Sequence, residues 1–220
     1  MHKAMSADIF VYLDTVQFSK NGVQNRNQIK TANGAYWLTI PVRQHLGQMI
    51  LDTQIADPRT GEKHWRTIQA NYARTPGFVQ WHKELEALLR RETELLVDLA
   101  INSTEWLLKK LNVTAQRVRA SELGNLSGSG SELVASICKL LNADSYLTGT
   151  GALAYLQPND FSEIDCQIYV QQWQPFVYEQ AHPEIGFVKD LSTLDLLLNS
   201  PETARDRIDD AGSWQMLEAR

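Results

Sequence analysis

The stretch from Gln116 to Gly149 constrains the fold more than any other part of the sequence. It opens with the alternating run QRVRASEL, passes through the glycine-rich GNLSGSG into SELVASICKLLNA, and closes with the short run SYLTG. The apolar residues of the middle segment recur at helical spacing; they are Leu133, Val134, Ile137, Cys138 and Leu141. A strand, a glycine-rich turn, a helix and a second strand form the βαβ pattern. We therefore predict an α/β protein with a mainly parallel sheet and helices on both faces.

The flanking segments extend this prediction. The runs ADIFVYLD, YWLTIPV, MILDTQIA and CQIYVQQW are rich in β-branched and aromatic residues, which is typical of strands. The Asn33-Gly34 turn before YWLTIPV predicts an antiparallel strand pair near the N-terminus. Helical spacing of apolar residues predicts a helical insertion at about 60–112. We expect a single α/β domain over residues 1–200 and a polar tail at 201–220 that is a loosely packed helix or partly disordered.

Composition excludes several classes of protein. The 220 residues are 43% hydrophobic and 21% charged, which is enough to bury a globular core. A net charge of -5 and a pI near 5.5 argue against general binding to nucleic acid or to an anionic membrane surface, although local basic clusters can bind a phosphorylated small molecule. No apolar run approaches the roughly 18 residues of a membrane span. The N-terminus has no signal-peptide pattern, so we predict a cytoplasmic protein.

The cysteines and histidines show no spacing that is typical of a metal site. Cys138 and Cys166 lie outside any CxxC or Cys/His pattern, and His64, His82 and His182 form no HxxxH or HExxH motif. Cys138 lies on the apolar face of the predicted helix, which favours a buried thiol over a reactive one. The sequence therefore predicts no metal site, and it identifies no cofactor.

The first candidate site follows the N-terminal strand, in the stretch LDTVQFSKNGVQNRNQIK. Open α/β sheets bind ligands where strands end. Basic groups hold carboxylates or phosphates, amides hydrogen-bond to hydroxyls or base edges, and a carboxylate can act as a general base. The residues that carry these groups are Asp14, Gln17, Lys20, Asn25, Arg26, Asn27 and Lys30. A solvated turn, with Asn in its usual turn role, is the alternative interpretation.

The second candidate is the glycine-rich turn before the predicted helix. Main-chain N–H groups from Gly128 to Ser131 can approach an anion, and the helix N-terminus adds partial positive charge. The stretch is neither a Walker A motif nor GxGxxG, since Leu133 occupies the third glycine position. Ser129 stands three residues before Glu132, which is the spacing of a capping box. A flexible turn capped by Ser129 is therefore an equal alternative.

The third candidate is YLTGTGALAYL, which follows a predicted strand end. Gly149 and Gly151 fit either a substrate-contacting turn or a tight turn from strand to helix. Tyr146 and Tyr155 can stack on a ligand or hydrogen-bond to it, and burial in the core is the alternative for both.

Two acids are candidates for a catalytic base, because they follow or lie in apolar segments. They are Asp14 and Asp195. Asp195 also fits the third position of a helix whose N-terminus is capped by Ser192, where it would stabilise the helix and nothing more.

Taken together, these blocks resemble the WbqC-like family of bacterial proteins. The matching blocks are ADIFVYLDTVQFSKNGVQNRNQIK, WLTIPV, the predicted helix from Trp65 to Tyr72, SELGNLSGSGSELVASICKLLNADSYLTGTGALAYL, FVYEQ and LSTLDLLLN. The resemblance spans Ala7 to Asn199, and the order and spacing of the blocks make it specific. The family's opening strand-helix unit, with a Gln-Pro pair and an aromatic-Leu-Pro-Trp-Gly run, does not precede Ala7 here. We therefore expect the neighbouring strand to lack a partner.

The resemblance implies a transferase of surface-polysaccharide biosynthesis, with glycine transfer to an amino sugar of lipopolysaccharide O-antigen as the suggested reaction. On that implication, Asp14 is the base, and Lys20 and Arg26 hold the diphosphate of a nucleotide-linked substrate. Two alternatives stay open. One is a nucleotide-binding enzyme with a Rossmann-like, nucleotidyltransferase-like fold. The other is a non-catalytic sugar- or partner-binding subunit.

Overall fold

The computed structural model describes residues 1–20 and 22–218. The strands are β1 (Ile9–Tyr12), β2 (Arg26–Thr31), β3 (Gly34–Thr39), β4 (Gln116–Arg119), β5 (Ser145–Thr148), β6 (Gln167–Trp173) and β7 (Gly212–Met216). The α-helices are α1 (His2–Ser6), α2 (Thr60–Tyr72), α3 (Pro76–Arg90), α4 (Leu96–Lys110), α5 (Gly130–Leu140), α6 (Thr193–Asn199) and α7 (Ala204–Asp210). The chain is thus an α/β protein, as the βαβ pattern predicted.

The strands pair in three small sheets within the described residues. β1 runs parallel to β4, β5 runs parallel to β6, and β7 joins β6 in antiparallel orientation. β2 and β3 form an antiparallel hairpin, in which Gly34 has a φ of +96°. The predicted antiparallel pair is confirmed, and its glycine is needed because side chains disfavour this conformation. A single, mainly parallel sheet with helices on both faces is not confirmed.

The chain divides into two compact units. Unit 1 comprises the described residues of 1–13, 114–176 and 206–218, and unit 2 those of 14–113 and 177–205. The single α/β domain over residues 1–200 that the sequence predicts stays a prediction. We describe each unit by itself.

The core of unit 1 lies between α5 and β6. Val134 and Cys138 of α5 pack with Phe161, Cys166 and Ile168, all of them buried. Both cysteines are free thiols, and burial raises the pKa of Cys138 to about 12. The predicted burial of Cys138 is therefore confirmed.

Unit 2 is built around α2, α3 and α4, which lie where helical spacing predicted helices. The rings of Trp65 and Phe78 stack with centroids 5.5 Å apart, and this joins α2 to α3. Leu108 and Leu111 are completely shielded from solvent at the end of α4. These contacts bury the apolar face of each helix, which is the main source of stability for helices of this length.

Two segments differ from their predicted structure. Residues 49–56 do not form a strand: they contain a 3-10 turn at Ile50–Asp52 and three isolated bridges to other segments. The buried hydroxyl of Thr53 donates to the carbonyl of Met49 over 2.7 Å, and this local bond holds the turn. The tail is ordered through residue 216, since α7 buries Ala204 and Ile208, and β7 pairs with β6.

The start of α2 gives a prediction for the dependence of stability on pH. Asp57 accepts hydrogen bonds from Lys63 Nζ at 2.7 Å and from the main-chain N–H of Arg59 at 3.0 Å. These bonds, that from Lys63 foremost, lower the pKa of Asp57 from 3.8 to about 2. A lowered carboxylate pKa stabilises the folded state above the unfolded-state value, and the contribution disappears as the pH falls towards 2.

We therefore expect Asp57→Asn to lower the free energy of unfolding at pH 6, and to have progressively less effect from pH 4 to pH 2. Urea unfolding of both proteins across this range measures the difference. Asp190→Asn is the matched control. Asp190 is 78% exposed, and its Oδ2 lies 3.9 Å from Lys189 Nζ, which is too far for the hydrogen bonding that lowers the pKa of Asp57. A difference that stays constant with pH would contradict the role of the carboxylate charge.

Candidate functional site

A pocket of about 620 Å³ opens between two irregular segments of unit 2. It is lined by Gln17, Phe18, Ser19, Lys20, Gln44, His45, Leu46, Gly47 and Gln48. All of these residues except Phe18 and Gln48 are exposed. We call this the Lys20–His45 pocket. It presents an ammonium group, an imidazole and two exposed amides to solvent.

The two walls are held together by main-chain and side-chain hydrogen bonds. The N–H of Phe18 donates to the carbonyl of Gln48 over 2.9 Å, and Gln17 forms an isolated antiparallel bridge with Met49. The Phe18 side chain is buried in a cluster with Ile40 and Leu96. This anchors the wall that carries Gln17 and Lys20.

The buried side chain of Gln48 orders the opposite wall. Its Oε1 accepts from the main-chain N–H of His45 at 2.6 Å, and its Nε2 donates to the hydroxyl of Thr53 at 2.9 Å. Both ends of the amide are therefore satisfied inside the protein. This contact fixes the main chain at His45, whose side chain is exposed.

Gln17 and Lys20 are the predicted site residues that the structure brings together in this pocket. Asp14, the predicted base, is 2% exposed and does not line it. The main-chain carbonyl of Asp14 accepts from the N–H of Leu51 at 3.1 Å, which fixes the segment that leads to the pocket wall. A base role for Asp14 stays a prediction.

Asn25, Arg26 and Asn27 lie on or next to the β2–β3 hairpin and not in the pocket. Asn25 Nδ2 donates to the carbonyl of Ile40 over 2.8 Å, so this amide joins the residues that flank the open end of the hairpin. The guanidinium of Arg26 lies 4.4 Å from the ring centre of Trp37, and its Nε donates to the carbonyl of Gly22. Asn27 Oδ1 accepts from the next main-chain N–H, at 2.8 Å. Asn25 in particular has a structural role here.

The second candidate, in unit 1, is shaped by its own side chains. Ser129 is the N-cap of α5, as predicted, but its side chain makes no capping hydrogen bond. A Cβ on Gly128 would lie 2.8 Å from Glu132 Oε2, so this carboxylate lies against the glycine where an anion was predicted. Ser131 is buried, and its Oγ accepts from the N–H of Gln157 at 2.9 Å. The side-chain cap predicted from Ser129 is therefore not formed, and the contacts of Gly128 and Ser131 favour a structural turn over the anion site, which stays a prediction.

The third candidate is also in unit 1, and its residues differ in their burial and in their contacts. Tyr146 is half-buried and stacks on Phe161 at 5.8 Å, and burial raises the pKa of its hydroxyl. A Cβ on Gly149 would lie 3.8 Å from Lys3 Nζ. Tyr155 is 48% exposed. Only Tyr155 therefore presents much of its ring to solvent.

Sequence reasoning missed the second wall of the pocket. The run RQHLGQ, residues 43–48, lies between two runs that are predicted as strands, and none of its residues is among the sequence-predicted site residues. The sequence feature that could have indicated this wall is the density of polar side chains before Gly47. Gly47 has a φ of +75°, which glycine adopts readily and which makes the sharp turn possible. His45 is the residue of chemical interest that this omission left out.

A second cluster of polar groups in unit 2 is fully buried. Lys30 is 1% exposed, and its Nζ donates to the carbonyl of Gly186 over 2.6 Å. Asp195 is completely buried and accepts hydrogen bonds from the hydroxyls of Tyr72 and Tyr178, the latter at 2.7 Å. Burial raises the pKa of Asp195 and lowers the pKa of Lys30. Each charge partly offsets the effect of burial on the other.

This cluster ties distant parts of unit 2 together. The Tyr72 hydroxyl also accepts from the N–H of Lys30 at 2.8 Å, which joins α2 to β2. Ser192 caps α6 by accepting from the N–H of Leu194 at 3.2 Å, with Asp195 in the third helical position, as predicted. We interpret the cluster as structural, because solvent does not reach its charged groups.

The described residues include no group of three or more His, Cys, Asp or Glu side chains placed to hold a metal ion. None of the helices in this part of the chain has the length and apolar character needed to cross a membrane.

The structure is that of an α/β protein with an open polar pocket, and comparison with known proteins gives its family. The model of the WbqC-like protein family matches residues 1–207, so the chain belongs to that family. It is similar to the uncharacterized protein Rv1507c of Mycobacterium tuberculosis, with 26% identity over 203 residues, which cover 90% of this chain and 87% of the relative. No solved structure matches the chain. The predicted family is therefore confirmed. The name of the relative does not give a substrate.

Proposed function

We propose that this chain is a transferase of bacterial surface-polysaccharide biosynthesis that binds a phosphorylated or nucleotide-linked sugar in the Lys20–His45 pocket. The observation that carries the proposal is the set of groups in that pocket: an ammonium, an imidazole and two amides around about 620 Å³. This volume lies within the range of roughly 300–1,000 Å³ that is usual for small-molecule sites. Family membership supports the setting in polysaccharide biosynthesis.

The pocket residues suit the parts of such a substrate. The exposed ammonium of Lys20 pairs with phosphate oxygens as a point charge. The amides of Gln17 and Gln44 can donate to and accept from sugar hydroxyls. The anchored Phe18 and Gln48 hold these groups in place, which lowers the entropy lost on binding.

The proposed reaction is acyl transfer, such as transfer of glycine, to an amino sugar. The amine nitrogen attacks the activated acyl carbon, the bond from that carbon to its leaving group breaks, and the amine proton passes to a base. We assign the base to His45, which lines the pocket, because Asp14 is 2% exposed.

The burial of Asp14 favours one second candidate, a non-catalytic sugar-binding subunit. In that case the pocket binds the same ligand without performing chemistry. The nucleotidyltransferase-like alternative depends on a mainly parallel sheet, and it stays a prediction.

Binding is tested first, with UDP-glucosamine as the probe and thermal shift and calorimetry as the measurements. We expect UDP-glucosamine to raise the melting temperature of the protein. Lys20→Gln should weaken binding by roughly tenfold or more, since a hydrogen bond to a charged group contributes about 1.5–3 kcal/mol. Lys189→Gln is the matched control in the same unit, because Lys189 is 85% exposed and lies outside the pocket. Equal binding by the two variants would contradict the assignment of the pocket.

Chemistry is tested separately by incubation with preformed glycyl adenylate, whose leaving group is AMP, and UDP-glucosamine, and by mass spectrometry of the sugar. A transferase yields a glycyl sugar, and His45→Gln should abolish that product while binding persists. Binding without any acylated product would reject the transferase and support the non-catalytic subunit.

A further inference from the structure

The charges of the chain are distributed unevenly along its sequence. Residues 15–51, which lie between Asp14 and Asp52, contain four of the 21 lysines and arginines and none of the 26 acidic residues. This acid-free segment supplies both walls of the Lys20–His45 pocket and the whole β2–β3 hairpin. Its charge is opposite in sign to the net charge of -5, which argues against binding of the molecule as a whole to an anionic membrane but does not describe this segment.

Two of the cations of this segment are available to an anionic partner. Lys20 and Arg43 are exposed, one in each wall of the pocket or directly next to it. Neither forms an ion pair within the part of the chain that the structure describes. The guanidinium of Arg43 donates only to the neutral amide of Gln54, over 3.3 Å. Both side chains therefore keep their positive charge directed to solvent.

The same two loops present aliphatic side chains to water. Leu46 is 99% exposed, and Val23 is 75% exposed. The buried amide of Gln48 orders the loop of Leu46, and a hydrogen bond of 2.6 Å from the N–H of Ser19 to Gln24 Oε1 closes the loop of Val23. Single exposed apolar residues are common, but two of them on hydrogen-bonded loops beside exposed cations are suited to a partner that is both apolar and anionic.

The β2–β3 hairpin extends this surface from the loop of Val23. Arg26 Nε donates to the carbonyl of Gly22 over 3.2 Å, and the guanidinium lies 4.4 Å from the ring centre of Trp37, which is partly exposed. Arginine and tryptophan side chains combine an apolar body with a polar end, which suits a boundary between water and hydrocarbon. We call this surface the basic face, and its residues are Lys20, Val23, Arg26, Trp37, Arg43 and Leu46.

We propose that the basic face docks on the surface of an anionic phospholipid bilayer. Lys20 and Arg43 lie against the headgroups, and Val23 and Leu46 insert at the boundary with the acyl chains. Binding at such a boundary gains from the apolar area that leaves water and from the attraction of Lys and Arg to anionic lipid. Docked in this way, the Lys20–His45 pocket opens onto the headgroup layer.

The aliphatic residues favour lipid over nucleic acid as the partner. Single-stranded nucleic acid binds to cations and to stacked aromatic rings. It would use Lys20, Arg43 and Trp37, but it would leave Val23 and Leu46 in water. A bilayer surface accommodates both kinds of side chain.

Flotation of vesicles tests the docking with the full chain. The vesicles contain roughly two parts phosphatidylcholine to one part phosphatidylglycerol, and phosphatidylcholine alone is the neutral reference. We expect the protein to float with the anionic vesicles and to leave them as the salt concentration rises, because salt screens the attraction. Absence of flotation would overturn the docking, and retention of the same protein on single-stranded DNA would then assign the basic face to nucleic acid.

The insertion of Val23 is tested by Val23→Glu, with Val79→Glu as the matched control. Val79 is 62% exposed and lies on α3 of the same unit, outside the acid-free segment. We expect Val23→Glu to weaken vesicle binding by about tenfold or more, since it removes an apolar contact and adds a charge that anionic lipid repels. Both substitutions change the net charge equally, so equal flotation of the two variants would overturn the assignment of the basic face.

The role of charge is tested by Arg43→Gln against Arg74→Gln, both at exposed arginines of unit 2. We expect Arg43→Gln alone to lower the salt concentration at which the protein leaves the vesicles. The same release point for both variants would overturn the contact of Arg43 with the headgroups.

The docking does not rest on the proposed function, and the two fail separately. Both are measured on the unmodified protein, one by flotation and the other by binding of UDP-glucosamine. Flotation without UDP-glucosamine binding would support the docking and reject the proposed use of the pocket. Binding of UDP-glucosamine without flotation would overturn the docking alone.

Discussion

Asp195→Asn is expected to lower the free energy of unfolding by about 3 kcal/mol or more. The buried carboxylate accepts hydrogen bonds from Tyr72 and Tyr178, and it partly offsets the burial of the Lys30 ammonium. Asparagine removes that charge and leaves the buried Lys30 ammonium with only the weaker electrostatic contribution of Glu184. Urea unfolding monitored by circular dichroism measures the loss.

The matched control is Asp190→Asn, which makes the same atomic exchange at a side chain that is 78% exposed. We expect it to change stability by less than about 0.5 kcal/mol. The double variant Lys30→Met/Asp195→Asn should recover part of the loss, since it removes both charges. A loss from Asp195→Asn no larger than that from Asp190→Asn would show that the cluster is not stabilising.

The helices and most strands were predictable because their signals are local. The apolar spacing of Leu133, Val134 and Ile137 alone indicates α5, whose apolar face is indeed buried. The Asn33-Gly34 pair likewise predicted the β2–β3 hairpin, since its turn depends on four neighbouring residues.

Residues 49–56 show where local reasoning ends. Their composition fits a strand, but Thr53 bonds to Met49 within the segment and to Gln48 before it. The hydrogen bond from the Thr53 hydroxyl thus uses a main-chain carbonyl that would otherwise be available for pairing with a strand. In the described structure, residues 49–56 form isolated bridges to three other segments instead of pairing along a whole strand.

The candidate site was predictable only in part, for the same reason. Gln17 and Lys20 were identified by residue type, and the pocket contains both. Asp14 is buried, and its main-chain carbonyl pairs with Leu51 of a segment that the sequence predicted as a strand but that folds differently. Residue type shows what a side chain can do, whereas its exposure depends on contacts made across the fold.

The Lys30–Asp195 cluster could not be read from the sequence at all. Its two charges lie in segments far apart along the chain, and the order of residues does not show which segments meet. Ser192 as the cap of α6 was predictable, because capping involves adjacent residues. The tyrosine partners of Asp195 come from α2 and from the segment before α6, and only the packed unit brings them together.

Gly61→Ala is the second large effect that we expect, and its sign opposes helix propensity. Alanine favours a helix over glycine by about 1 kcal/mol, so propensity alone predicts stabilisation. A Cβ at Gly61 would, however, lie 1.8 Å from the main-chain carbonyl oxygen of Leu89. This oxygen belongs to the last turn of α3, so the clash can be relieved only by moving α2 away from α3.

We therefore expect Gly61→Ala to lower the free energy of unfolding by about 2 kcal/mol. Overpacking destabilises a protein by about 1–3 kcal/mol or more, which exceeds the gain of about 1 kcal/mol in helix propensity. Separation of the two helices also disturbs the Trp65–Phe78 stack, which tryptophan fluorescence reports. Gly151→Ala is the matched control, because no atom lies within 4 Å of the position of its Cβ. A stability equal to or above that of the original chain would mean that α2 and α3 separate at little cost, and that the close approach at Gly61 does not fix their packing.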